Sequence, residues 1–170
     1  MSFDPSAKDY LELATEMNGV ARTTLRLDSR DATIPQAKIS IGLSLQAAEL
    51  AGKGMLRCLG YSASEIKQAH KKHDLLTLLQ AVEEELKKSQ KPLFQEHWDF
   101  LLWAPDIDGS EFATIDLYLE MHFSKGPSAY PRSYFYPDEE VFTGPVPIQA
   151  VYLMVEHLIN TLRILVREGN

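Results

Sequence analysis

Apolar residues recur every three to four positions along most of this chain, and nowhere do they alternate with polar ones for long enough to make a strand. The spacing predicts a first helix in which Tyr10, Leu13, Met17, Ala21 and Thr24 share one side, running to about Leu27. Asp4 and Pro5 would supply its cap and first-turn proline. A linker over 28–35 contains Pro35 and opens a second helix that should end at Gly60. The tetrapeptide SASE at 62–65 fits a capping box and predicts a short helix that breaks near His73 and Asp74. Asp74 is then placed to cap a helix over 75–88.

Pro92 predicts a further helix that stops at Pro105, and Ser110 the start of another that reaches about 123. The stretch 125–147 differs: five of the nine prolines and five aromatic residues fall there, which excludes a regular helix. A final helix from about Pro147 brings Val151, Val155, Leu158, Leu162 and Leu165 into register. Together these elements predict an all-α, up-and-down helical bundle formed by 1–170 as one domain, with a long Pro/aromatic loop before the last helix.

The second helix is apolar or small in almost every direction, as a helix at the centre of a domain must be. Gly42, Gly52 and Gly54 would each cost roughly 1 kcal/mol relative to alanine in a helix interior, so close approach of a neighbouring backbone is expected to compensate. In this setting Glu49 and Lys53 stand one turn apart, acid first, which favours a pair. Such a pair either reaches the rim of the bundle or sits desolvated, where it adds little stability but is costly to break.

Composition narrows the setting. The 170 residues suffice for a full core, and no apolar run of about 18 residues predicts a membrane span. The opening MSFDPSAKDY has neither the basic start nor the apolar core of a secretory signal, and a single cysteine, Cys58, suits a reducing compartment; the expected location is cytoplasmic. A net charge of −7 argues against coating nucleic acid by overall electrostatics, although a local basic site remains compatible with it. Arg22, Arg26 and Arg30 could share a helix face, and a solvated surface row explains them most simply.

Other chemistry is sparse. His70 and His73 have a spacing that zinc sites use, but no further ligand joins them, and no metal, cofactor or catalytic residue is assigned. There is no phosphate-binding glycine loop and no nucleophile elbow. In the aromatic stretch, Tyr130, Tyr134 and Tyr136 offer stacking faces and Arg132 a planar cation. A lid of packed aromatics, with Arg132 paired to Asp138 or Glu139, explains the same residues without a ligand.

The pattern LQAAELAGKGMLRCLGYS followed by HKKHDLLTLL resembles the HEPN family of helical nucleotide-binding domains. The family's Glu, three residues, Lys, then His-Asp-Leu fall on Glu49, Lys53, His73, Asp74 and Leu75. The segment YPRSYFYPDEE at 130–140 is similar to the tyrosine- and arginine-rich stretch before the last HEPN helix. The resemblance implies a bundle of four or five helices, commonly a homodimer, that binds nucleotides or cuts RNA. Such domains work as toxins, as partners of small nucleotidyltransferases, or in phage defence. Its candidate ligand or motif residues are Glu49, Lys53, His73, Tyr130, Arg132 and Tyr134.

The nuclease branch carries an arginine followed, after four to six residues, by a histidine that moves the proton of an attacking hydroxyl. None of the seven arginines here has a histidine at that spacing. The expectation is therefore a non-catalytic HEPN-like module that binds a nucleotide, RNA or a partner protein. A metal-independent ribonuclease with a displaced active site and a helical scaffold stand as alternatives. The last helix, with Ile148, Val151, Tyr152, Val155, Ile159 and Leu162, offers more than one apolar stripe, which predicts a homodimer.

Overall fold

A helix that is apolar on all sides must be covered on all sides. The computed structural model describes residues 4–25, 34–69, 74–89 and 148–168, and all the regular structure among them is α-helical. Five helices are described: α1 (Ala7–Leu25), α2 (Ile34–Cys58), α3 (Ala63–Ala69), α4 (Leu75–Lys88) and α5 (Ile148–Glu168). They form an all-α bundle around α2. The expected helices after Pro92 and Ser110 and the stretch 125–147 lie outside the described residues, as do Arg26, Arg30 and His70.

The helix ends follow local chemistry. At α1, Ser6 rather than Asp4 caps: the Asp9 amide donates to Ser6 Oγ at 3.2 Å, and the Ser6 amide donates to Asp9 Oδ2 at 2.7 Å. Asp4 is drawn away because its carboxylate meets Arg57 at 3.3 Å and the Ala63 amide, at the start of α3, at 3.4 Å. The capping box at Ser62 and Glu65 forms as its spacing predicts, with the same reciprocal bonds at 2.7 and 3.2 Å. Both serines hold the acid opposite them below its ordinary pKa. Asp74 caps α4 through the Thr77 amide at 3.1 Å. At the end of α2, Gly60 takes φ +100°, and the amides of Gly60 and Tyr61 return to the carbonyls of Arg57 and Leu56. This two-bond closure needs a residue that tolerates a left-handed backbone.

Tertiary contacts set the directions. Tyr10 lies against Gly54, Asn18 against Ser44 and Ala21 against Ser40, so α1 runs antiparallel to α2. Tyr152 meets Ser40 and Leu162 meets Gly54, so α5 runs parallel to α2. On another side of α2, Leu78 and Leu79 of α4 press on Gly52. Ile41, Met55, Leu56, Ile66, Leu75, Leu78, Leu79 and Leu86 are the largest fully buried side chains. Each such burial is worth roughly 1.5–3 kcal/mol, so the core on α2 dominates any surface ion pair.

The predicted register of α5 is observed: Val151, Val155, Leu158, Leu162 and Leu165 are all buried. The predicted surplus of apolar surface is not. Of the residues that suggested it, Val151, Tyr152, Val155, Ile159 and Leu162 are covered within one chain, because α5 packs on both α1 and α2, and the side chain of Ile148 lies outside the described residues. That reason for a homodimer therefore falls away.

A methyl group added at Gly54 would stand 2.6 Å from Leu162 Cδ2 and 3.0 Å from Tyr10 Cβ, whereas one at Gly19 meets nothing within 4 Å. Gly54→Ala should therefore destabilise by about 1–3 kcal/mol despite its better helix propensity. Gly19→Ala, free of that clash, should stabilise by about 0.5–1 kcal/mol. Urea denaturation of both variants checks the opposite signs.

Candidate functional site

Two groups of polar side chains are built into this frame. The first is the charged ladder of α2. Glu49 and Lys53 form a direct ion pair across one turn, with 5% of the Glu49 side chain exposed and 20% of the Lys53 side chain. The pair is thus neither on the rim nor fully sealed: the carboxylate is inside and the ammonium reaches outward along its stem. One turn further, Arg57 donates to the Tyr61 carbonyl at 2.7 Å and to Asp4 at 3.3 Å, while its Nε is buried with no hydrogen-bond partner. Tyr10 faces the same charges. Burial pushes its phenol above the ordinary value, Arg57 opposes that, and Asp4 and Glu49 reinforce it. This ladder ties the start of α1 and α3 to the end of α2.

Of the residues that the motif pattern brings forward, Glu49 and Lys53 lie together on α2. His73, Tyr130, Arg132 and Tyr134 lie outside the described residues. Asp74 and Leu75 are accounted for structurally, the first as the α4 cap and the second as a core side chain.

The second group lines a groove of about 410 Å³ between the antiparallel α1 and α5: Thr15, Asn18, Gly19 and Arg22 from one side, Glu156, Ile159, Asn160 and Arg163 from the other. Arg22 pairs with Glu156, both partly exposed at 48% and 38% of their side chains. At the opposite end Arg163 donates to the neutral side-chain carbonyl of Asn160 and, among the described residues, meets no carboxylate. Asn18 is buried, and its side-chain oxygen accepts from Ser44 at 3.5 Å.

The floor is held by a polar clamp at one end of the helices. Ser40 Oγ donates to the Ala21 carbonyl at 2.6 Å and hydrogen-bonds the Tyr152 hydroxyl, which itself lies 3.4 Å from the same carbonyl. Burial raises the Tyr152 phenol above its ordinary pKa, and the hydrogen bond between it and Ser40 partly offsets this. The clamp joins α1, α2 and α5 at one level, so the groove walls are fixed relative to each other.

Sequence reasoning grouped Arg22 with Arg26 and Arg30 and missed this groove. The signal was present on the last helix, where Glu156, Asn160, Arg163 and Arg167 recur at helical spacing as a polar stripe through an apolar run. Its pairing with Arg22, 134 residues away, needs the fold.

Among the described residues no group of three or more histidine, cysteine, aspartate and glutamate side chains could hold a metal ion, and no helix is long and apolar enough to cross a membrane. No family model, curated protein or solved structure matches the chain. The HEPN resemblance thus rests on its motif residues alone.

The buried carboxylate makes a measurable demand on its partner. Lys53→Met alone should cost about 1–3 kcal/mol, because it leaves Glu49 desolvated without its cation. The double variant Glu49→Gln, Lys53→Met should recover part of that loss. A double-mutant cycle in urea should return a coupling of about 1–2 kcal/mol.

Proposed function

We propose that this chain is a non-catalytic, HEPN-like helical module that binds a nucleotide, either free or as the phosphate and base of an RNA. The observation that carries this reading is the α1–α5 groove, with a guanidinium at each end and two amides between. Arginine suits phosphate because its planar fork presents paired N–H donors that match two phosphate oxygens. The Asn160 and Asn18 oxygens already accept from Arg163 and Ser44, so what these amides offer a base edge is chiefly their N–H donors.

The charges favour an anion at the Arg163 end. With an effective dielectric near 20, a singly charged phosphate about 4 Å from Arg163 gains roughly 4 kcal/mol before desolvation. Glu156 stands seven residues away on the same helix, about 10 Å along its axis. At that distance it opposes by less than about 2 kcal/mol, and salt screening reduces this further. Attraction therefore wins locally even in a chain of net charge −7.

Among the described residues lining the groove there is no histidine or thiol to act as a neutral-pH general base. Kinship with HEPN domains is proposed on Glu49, Lys53, His73, Asp74 and Leu75, together with the helical bundle.

Titration of nucleoside monophosphates into the protein at low salt should show binding that weakens as salt rises. Arg163→Ala should lower the affinity at least about tenfold while leaving the thermal midpoint nearly unchanged. Mixed-sequence RNA incubated with the protein should stay intact. Absence of nucleotide binding contradicts the reading. A displaced nuclease site would pair Arg132 with a histidine such as His157 on α5, and cleavage lost in both His157→Ala and Arg132→Ala would replace the reading with such a site.

A further inference from the structure

The groove is not symmetric in what it offers a ligand. Glu156 and Arg163 stand on one face of α5, about 10 Å apart along its axis. Arg22 uses one of the two lone pairs on Oε1 of Glu156, so that oxygen can accept a second bond, and Oε2 has no partner among the described residues. Arg163 uses one of its five N–H donors on Asn160. One end therefore seeks an anion, and the other is a held carboxylate that accepts hydrogen bonds. Between them Gly19 presents no side chain, with nothing within 4 Å of where a Cβ would be, and the largely buried Ile159 gives a narrow apolar floor.

The ligand that matches is flat in the middle, bears a phosphate at one end and carries adjacent N–H donors at the other. We infer that the groove selects a guanine mononucleotide, with the phosphate on Arg163, the base over Gly19 beside Ile159, and its N1–H and N2–H donors on Glu156. This rests on the nucleotide-binding reading above and assigns its ligand. Guanine carries two parallel donors on its Watson–Crick edge, and a carboxylate accepts both. Adenine carries a lone pair at N1 beside a single amino group, so the same carboxylate meets one donor and one repelling acceptor. Uracil shows one N–H between two carbonyls, and cytosine a single amino group beside an acceptor. Guanine alone pairs both carboxylate oxygens without leaving an acceptor opposed.

Arg22 acts here as a positioning residue. It touches no ligand atom in this arrangement but holds the Glu156 carboxylate in one orientation across the groove, and the open backbone at Gly19 leaves room for the ring. A side chain at position 19 would enter that room, which links an otherwise unfavourable helix-interior glycine to the site.

Calorimetric titration of the full chain with GMP, AMP, guanosine and inorganic phosphate tests the assignment. GMP should bind at least about tenfold more tightly than AMP, because a site built to accept two donors penalises a base that lacks one. Glu156→Gln should bring the two affinities within about threefold, since its amide nitrogen cannot accept a hydrogen bond. Arg163→Ala should reduce GMP to the affinity of guanosine. Equal binding of GMP and AMP by the unaltered protein, or a guanine preference that survives Glu156→Gln, overturns the assignment and leaves nucleotide binding standing. Failure of every nucleotide to bind overturns both. The comparison of GMP with AMP needs no variant, so it decides the matter even if a substitution perturbs folding.

Discussion

The structure depends on one constraint: α2 is buried over most of its circumference, and from Ile39 to Arg57 only the line through Ile39, Leu43, Gln46, Leu50, Lys53 and Arg57 stays partly exposed. Thirteen of its positions between Ser40 and Leu56 are buried, including three serine or glutamate residues. Neighbours must therefore close around it, and Gly52 and Gly54 let them do so at short range. The space left by the missing methyl groups is taken by leucine side chains and by Tyr10, rather than by another backbone. The charged pair that seemed out of place is compatible with this, because Lys53 carries its ammonium outward while Glu49 stays beneath it.

The groove is a consequence of that packing. Helices α1 and α5 both lean on α2, at Gly54 and at the clamp of Ser40, Tyr152 and Ala21, and their relative position is settled there. What remains beside that packing is a cleft lined by the buried Ile159 and Asn18 and by more exposed polar residues of both helices. The arginines there are divided between a carboxylate and an amide. Exposed ion pairs of this kind contribute little to stability.

Much of this architecture is legible in local chemistry. The spacing of Val151, Val155, Leu158, Leu162 and Leu165 announces the buried side of α5, and SASE at 62–65 and Asp74 announce their caps, because each depends on residues within one or two turns. Asp4 is misread for the opposite reason: its partners Arg57 and Ala63 are more than fifty residues away. The homodimer expectation counted apolar stripes on α5 without knowing that two helices of the same chain would cover them. Of the candidate site, Glu49 and Lys53 could be paired from spacing, whereas Arg22 and Glu156 could not.

If α2 organises the bundle, its amides should be the last to exchange. Native-state hydrogen exchange by mass spectrometry or NMR tests this, since segments that open independently exchange with a free energy below that of global unfolding. The account predicts that the amides from Ala47 to Met55 exchange only through global unfolding, while those near the ends of α1 and α5 open earlier. Exchange in the middle of α2 that is as fast as at the outer surface of α1 would contradict it.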